Sequence, residues 1–430
     1  MTSAPPQHVV FATAGTAGDL HPFLGLALAV AARGVRTTVM VNAIHAPQVE
    51  RAGLACVPLG TVDAFMAVVR DPDVWRNRRG FGLLWHGARA GLNEALVHLL
   101  SLPADEATTL VAHPLALPHA AIARAQRPRL RVVAAYLAPS NLRTVHDPLT
   151  FGPLAVPTWL PHVARRALWR LIDARLIDPA ALPTLNEDRH AHGLPPVAHF
   201  IEHLQASAQT SVALFPPWFG AARPDWPGPM VDGAFVLHDP GASDALPEPV
   251  RAFLGAGAPP VVFTAGTGQV HAADLFAAVL EAARRAGRRT LLLTPERAQV
   301  PARLPDDSLW HDYVPLATLL PHAAAIVHHG GIGTVAEALR AGTPQLVVPW
   351  AYDQFDNGAR VRALGAGHVS ALSRSWPQRL VPALRALLAD EAVRGRCREI
   401  AAGFEGGREC GADAARLRAV VDAILGPGGG

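Results

Sequence analysis

Between His328 and Gln354 the chain carries residue types that could bind an anion and a polyol side by side. An apolar run, Ala324-Ala325-Ile326-Val327, leads into His328-His329-Gly330-Gly331-Ile332-Gly333-Thr334. A helical pattern follows to Arg340, then Ala341-Gly342-Thr343-Pro344, an apolar stretch from Gln345 to Trp350, and Asp353-Gln354. The glycines let the backbone turn sharply and come close to a ligand. A helix beginning near Gly333 points its unsatisfied N–H groups and positive dipole end at that turn, which is a phosphate site in outline. A lone Gly-Gly-x-Gly before a helix is also a common tight βα turn. Here, however, the histidines add donors at the strand end. Asp353 and Gln354 add hydrogen-bonding groups at the end of the next strand, where open α/β sheets hold ligands. Such a set suits a ligand with an anionic half and a hydroxylated half, of which a nucleotide-sugar is the natural candidate.

A second candidate lies near the start, in Gly18-Asp19-Leu20-His21-Pro22. Asp19 falls in the loop after the first apolar strand, just before a helix expected from near Leu20. From the residues alone it is a helix N-cap; the same carboxylate could also take a proton, with His21 as the weaker alternative. Metal chemistry is not expected. Asp71-Pro72-Asp73 does not follow an apolar strand and reads as a turn, and adjacent strand histidines such as His328 and His329 point to opposite faces. Gly15-Thr16-Ala17-Gly18 lacks the dinucleotide-binding spacing, so no nicotinamide cofactor is expected either.

The elements that must position these residues alternate in the α/β manner. Strands are expected at Val9–Thr13, Thr37–Val41, Ala55–Pro58, Val111–Ala112 and Val132–Ala135, with a helix from Pro22 to about Arg33. Residues 61–110 should form helices and a long loop. Phe65, Trp75, Phe81 and Trp85 there either pack a helical layer or line an apolar acceptor pocket. Residues 150–206 look helical, with Trp159 and Trp169 as packing anchors. Proline-rich segments, Leu214 to Phe219 and Pro224 to Pro229, suit an interdomain connection. The pattern then restarts with strands at Pro260–Thr264, Thr290–Thr294, Ala324–Val327 and Leu346–Pro349.

The chain has 430 residues, half of them hydrophobic and 17% charged, so it can build large cores. All 38 basic residues are arginine and the formal charge is only +3, with no arginine-rich run that would mark a nucleic-acid partner. Cys56, Cys397 and Cys410 lie far apart without metal or disulfide spacing, which points to a reducing compartment. Neither a secretory signal nor an apolar span of about 18 residues is evident. The expected location is therefore cytoplasmic, with peripheral contact at the inner membrane, or with an acceptor-synthesising enzyme, left open.

The stretch from His328 to Gln354 closely resembles the nucleotide-diphosphate-sugar signature of family 1 glycosyltransferases, the antibiotic and plant-type group. The resemblance implies the GT-B fold, with two Rossmann-like domains facing each other across a cleft and a C-terminal helix packing back on the first domain. The domains would span residues 1–222 and 223–410, followed by that helix (411–425) and a disordered tail (426–430). It implies a diphosphate held by His329, Gly331, Gly333 and Thr334, with Thr267 and Thr16 from the loops after the first strand of each half. Tyr313 and the Val314 backbone would hold the base, Glu337 the ribose, and Asp353 and Gln354 the sugar hydroxyls. Leu316 replaces the family's usual glutamine, and Glu337 could equally be a solvated residue of the helix's first turn. Asp19 takes the position of the family's catalytic base, in an inverting transfer without metal or resident cofactor.

Further segments, among them Gly18 to Phe23, Arg70 to Trp75, Gly80 to Trp85 and Asp353 to Asn357, resemble the rhamnosyltransferases of bacterial rhamnolipid synthesis. That resemblance implies dTDP-L-rhamnose as donor and an amphiphilic lipid acceptor, a 3-(3-hydroxyalkanoyloxy)alkanoate, forming mono-rhamnolipid. The arginines among the aromatics of residues 65–89 (Arg70, Arg76, Arg78, Arg79 and Arg89) suit its acyl chains and carboxylate. Two alternatives stand beside it: a relative that glycosylates a polyketide, sterol or other lipophilic aglycone, and a catalytically silent GT-B-like activator subunit.

Overall fold

The computed structural model describes residues 7–76, 79–147, 150–151, 154–238, 246–372, 376–405, 408–409 and 411–426. The chain divides into two units. The first comprises residues 1–149, 155–238 and 412–430, and the second residues 150–154 and 239–411.

Unit 1 is built on β1 (His8–Ala12), β2 (Arg36–Asn42), β3 (Ala55–Leu59), β4 (Thr108–Ala112) and β5 (Leu130–Tyr136). After a short ribbon, β6 (Thr150–Phe151) and β7 (Leu154–Ala155), come β8 (Thr210–Ala213) and β9 (Met230–Val231). The order β3-β2-β1-β4-β5-β8-β9 is that of a parallel, doubly wound sheet. Strands covered on both faces read as continuous apolar runs, and Val9, Val10 and Phe11 of the central strand are wholly buried.

The stretch expected to connect domains belongs instead to unit 1. β9 pairs with β8, Trp226 packs edge-on to Phe215 at 6.0 Å, and Asp225 accepts bonds from the Thr144 hydroxyl (2.6 Å) and the Val145 N–H (2.8 Å). A Cβ on Gly233 would lie 1.9 Å from the Ala213 carbonyl oxygen, so the chain hugs the sheet edge there. The division consequently falls after His238 rather than at residue 222. The C-terminal helix (Gly411–Leu425) is tied to the same unit. Arg131 donates to the Ile424 carbonyl (2.8 Å), and the Trp218 indole N–H to Asp413 (3.0 Å).

Residues 61–110 are more helical than expected. Helices Val62–Arg70 and Gly80–Ser101 flank a 3-10 turn, Pro72–Trp75. Asp71 caps that turn by accepting the Asp73 N–H (2.8 Å), while Asp73 pairs with Arg76 and Arg79.

Unit 2 repeats the layout with β10 (Val261–Thr264), β11 (Thr290–Leu293), β12 (Ser308–His311), β13 (Ala325–His328), β14 (Gln345–Val347) and β15 (Gly367–Val369), all parallel in the order β12-β11-β10-β13-β14-β15. Val262, Leu291, Leu319 and Ile326 form its core together with Ala338 of the helix Ile332–Ala341. Cys397 is buried and Cys56 half-buried, and both are free thiols that burial pushes up, to about 12 and about 11. Cys410 lies outside the described residues. No helix is long and apolar enough to cross a membrane among the described residues.

Candidate active site

Each sheet reverses its winding beside its first strand, so the loops leaving the carboxyl ends of β1 and β4, and of β10 and β13, open the crevice where doubly wound sheets bind ligands. In unit 1 those ends are level, with Ala12 beside Ala112. The Thr13 N–H bonds Met40 O (3.1 Å) and the His113 N–H bonds Ala12 O (2.8 Å), so both loops start from fixed points.

The first helix begins at Ala17, with Thr16 as its N-cap, three residues earlier than expected. Asp19 is therefore not the cap but the third residue of the helix. Its Oδ2 accepts the Thr16 N–H at 2.8 Å. Gly15 lies at φ +131, and a Cβ there would meet Asp19 Oδ2 at 2.1 Å, so the carboxylate folds back over the glycine. Asn42 steadies this loop from β2, donating to Gly15 O at 2.9 Å. The Asp19 side chain is one-third exposed, yet burial pushes its pKa up to about 6 against the Thr16 hydrogen bonds.

His113, at the end of β4, is the residue the motifs did not reveal. Its Nδ1 accepts the Leu115 N–H at 3.2 Å. That assigns the proton to Nε2, which lies 3.7 Å from Asp19 Oδ1. Burial holds the imidazole down to about 4, so at neutral pH it is an uncharged ring with one N–H turned toward the carboxylate. His113→Asn keeps a side-chain cap for Leu115 and removes the ring. It is expected to lower kcat about tenfold and to move the acid limb of the pH–rate profile upward, because the carboxylate loses a dipole that favours its charged form. Full pH profiles of both proteins check this.

In unit 2, His328 is fully buried and committed to structure. Its Nε2 bonds Gln345 Oε1 (3.0 Å), and its Nδ1 accepts the Gly330 N–H (3.1 Å). The His329 ring stands nearly perpendicular to that of His328, at 87°, with the ring centres 6.4 Å apart. The His329 ring sits between two glycines. A Cβ on Gly266, in the loop after β10, would meet its Cε1 at 2.5 Å, and one on Gly331 would meet its Nε2 at 2.5 Å. Gly266 and Gly330 also hold positive φ, +85 and +96. Burial lowers the His329 pKa to about 4, and among the described residues its Nδ1 has no hydrogen-bond partner. Gly331 caps the helix Ile332–Ala341, whose first N–H groups, at Ile332, Gly333 and Thr334, have no acceptor within the helix. Thr267 is exposed in the β10 loop, whereas Thr16 serves as the unit 1 cap.

Asp353 stands at the N-cap position of the helix Gln354–Ala363 without a side-chain cap bond, and Tyr352 beside it is held at φ +57. Gln354 Oε1 accepts the N–H groups of Trp350 (2.8 Å) and Ala351 (3.1 Å). Asn357 bridges Asp353 Oδ2 (2.7 Å) and Gly330 O (2.9 Å), tying the acid–amide pair to the glycine turn. Glu337 is not a solvated residue: it is half-buried and paired with Arg340. Tyr313 stands 43% exposed after β12, and Val314 behind it is buried. Among the described residues no cluster of three or more His, Cys, Asp or Glu could hold a metal ion.

The aromatic residues of unit 1 separate. Trp85, left open between helical-layer packing and a pocket wall, is a core residue. It is wholly buried, with its N–H on Thr184 Oγ1 (2.8 Å) and Phe200 edge-on at 4.9 Å. Trp85→Phe is expected to lower Tm by about 3–6 °C and to leave acceptor KM within twofold, read by calorimetry and by acceptor titration. Phe65, Trp75 and Phe81 remain half-buried, Phe65 against His45 (5.6 Å) and Phe81 against Phe200 (5.7 Å).

Residues 277–406 match the family described as Erythromycin biosynthesis protein CIII-like, C-terminal domain. The chain is 30% identical over 406 residues to the O-mycaminosyltylonolide 6-deoxyallosyltransferase of Streptomyces fradiae, covering 92% of this chain and 93% of that one. The fold is shared with the calicheamicin glycosyltransferase CalG4 (TM-score 0.67, 22% identity, 97% and 98% coverage). It is shared also with the spinosyn rhamnosyltransferase SpnG, solved with thymidine diphosphate (TM-score 0.63, 19% identity, 97% and 100% coverage). The protein belongs to the family 1 glycosyltransferases of the GT-B fold.

Proposed function

We propose that the protein moves a sugar, of the deoxysugar class, from a thymidine-diphosphate-linked donor to a hydroxyl of a lipophilic aglycone of polyketide type. The observation that carries the donor half is the His329 ring, set between Gly266 and Gly331 at the start of a helix with unsatisfied N–H groups. In this reading the diphosphate lies on those N–H groups and His329. Tyr313 covers the base, Glu337 bonds the ribose, and Asp353 with the Gln354 amide nitrogen bonds the sugar hydroxyls. Asp19 takes the acceptor O–H proton as the acceptor oxygen bonds to the anomeric carbon. The bond from that carbon to the diphosphate breaks with its electron pair on the leaving group, which the helix N-terminus and His329 stabilise.

A family described for erythromycin biosynthesis and a relative named as an O-mycaminosyltylonolide 6-deoxyallosyltransferase favour the polyketide-type acceptor over the hydroxyalkanoate expected from the rhamnolipid resemblance. One observation keeps rhamnose itself as a donor sugar: the likeness in fold to a rhamnosyltransferase solved with thymidine diphosphate. The test pairs dTDP-L-rhamnose, dTDP-glucose and UDP-glucose with a macrolide aglycone and with the hydroxyalkanoyl lipid, read by mass spectrometry. The expected product is the aglycone plus one sugar from a dTDP donor. A product from the hydroxyalkanoyl lipid alone would restore the rhamnolipid reading. Absence of transfer to every acceptor, with dTDP still bound, would favour the silent activator.

A further inference from the structure

The helix His162–Ile172 has a fixed inner face and a bare outer one. On the inner side Arg165 donates to Val145 O at 2.7 Å and also bonds Thr158 O. The Trp169 indole N–H bonds Thr144 O at 3.0 Å, with the Arg143 guanidinium 4.2 Å from the ring centre. These contacts anchor the helix, so the opposite side is presented as a rigid surface. On that side Val163 is 76% exposed and Leu171 52%, with Arg166, Ala167 and Arg170 exposed between them. At 3.6 residues per turn these five positions fall within an arc of roughly 140°. Trp159, 79% exposed, stands just before the first turn, and exposed Arg175 just after the last.

The charges on this surface are of one sign. Among the described residues no ion pair or side-chain hydrogen bond engages Arg166, Arg170 or Arg175. The one carboxylate in the segment, Asp173, is turned inward onto Arg143 at 2.9 Å. Such a surface combines unpaired arginines with singly spaced apolar side chains and a tryptophan, an amphipathic body with a polar tip.

We propose that this face seats the protein on an anionic lipid bilayer. Arginine heads would meet lipid phosphates while their stems, Trp159, Val163 and Leu171 enter the headgroup boundary, with the helix lying in the plane of the interface. A nucleic acid would use the arginines and the tryptophan face but leave the aliphatic Val163 and Leu171 in water. The proposal is independent of the glycosyl-transfer reading.

The test is co-sedimentation of the full chain with phosphatidylcholine vesicles and with vesicles containing 30% phosphatidylglycerol, at about 50 mM and 500 mM salt. Binding is expected to the anionic vesicles at low salt only. Replacing Arg166, Arg170 and Arg175 by glutamine should lower the partition coefficient about fivefold per arginine, and Trp159→Ser with Leu171→Ser should lower it further. Tm and donor binding should be unchanged in both variants, which keeps a folding defect distinguishable. Absence of vesicle binding by the unaltered protein, or equal binding by the arginine variant, overturns the proposal. Capture of a protein partner through this face without vesicle binding overturns it too.

Discussion

Replacing Asp19 by asparagine is expected to lower kcat/KM about a thousandfold while leaving the protein folded. An amide oxygen can still accept the Thr16 N–H, so the turn over Gly15 keeps its hydrogen bond. The carboxylate pKa is raised by burial to about 6, and a base must be ionised to act. The parent protein should therefore lose activity as pH falls through about 6 and reach its plateau above 7. The residual rate of Asp19→Asn should lack that limb. The stability consequence has the opposite sign. A carboxyl that binds its proton more tightly when folded costs stability as pH rises from its unfolded value to about 6, and the full cost is present above that. Asp19→Asn removes the cost, so its Tm at pH 7.5 should equal or exceed the parent's, while near pH 4 the two should converge. Stopped-assay kinetics and calorimetry over pH 4–9 measure both. A loss of activity accompanied by a lower Tm at pH 7.5 would assign Asp19 a structural role.

The two α/β halves were legible because their central strands, from Val9 and from Val261, are buried on both faces and read as unbroken apolar runs. Edge strands carry no such signal. β12, Ser308–His311, is only half-buried throughout, and β9 is two residues long, so both depend on a neighbour for their conformation. The prolines between Leu214 and Pro229 look like a linker by composition, but Trp226 folds the segment onto its own Phe215, and Asp225 gives it partners, Thr144 and Val145, about eighty residues away. The His329 turn was legible because its chemistry is local. His113 was not. It sits 94 residues from Asp19, and only the adjacency of β4 and β1 brings Nε2 beside the carboxylate. Trp85 stayed ambiguous for a related reason: an aromatic in an arginine-rich stretch fits a pocket or a packed layer, and only Thr184 and Phe200, about a hundred residues on, place it in the core.

The second large effect tests the glycine cradle around His329. Gly331 lies at φ −60 and ψ 139, a conformation alanine adopts without strain. A Gly331→Ala change therefore acts through its new Cβ, which would fall 2.5 Å from His329 Nε2 and 3.0 Å from Cε1. The ring must move, and displacement of a positioned donor by about an ångström is expected to lower kcat/KM about 100-fold. His329→Ala removes the donor altogether and should cost about 100- to 1000-fold. The informative protein is the double variant. With the imidazole gone, the alanine at 331 has nothing to displace, so adding it to His329→Ala should cost no more than about threefold. Residues coupled in this way depart strongly from additivity, and the departure separates a steric effect on His329 from a general weakening of the helix start. The same cycle should appear in the affinity for a dTDP-sugar by calorimetry, because the cradle holds the ring whether or not an acceptor is present. If the two costs multiply in full, Gly331 serves the helix N-terminus alone and His329 is positioned by other contacts, with Gly266, whose Cβ would meet Cε1 at 2.5 Å, as the next residue to test.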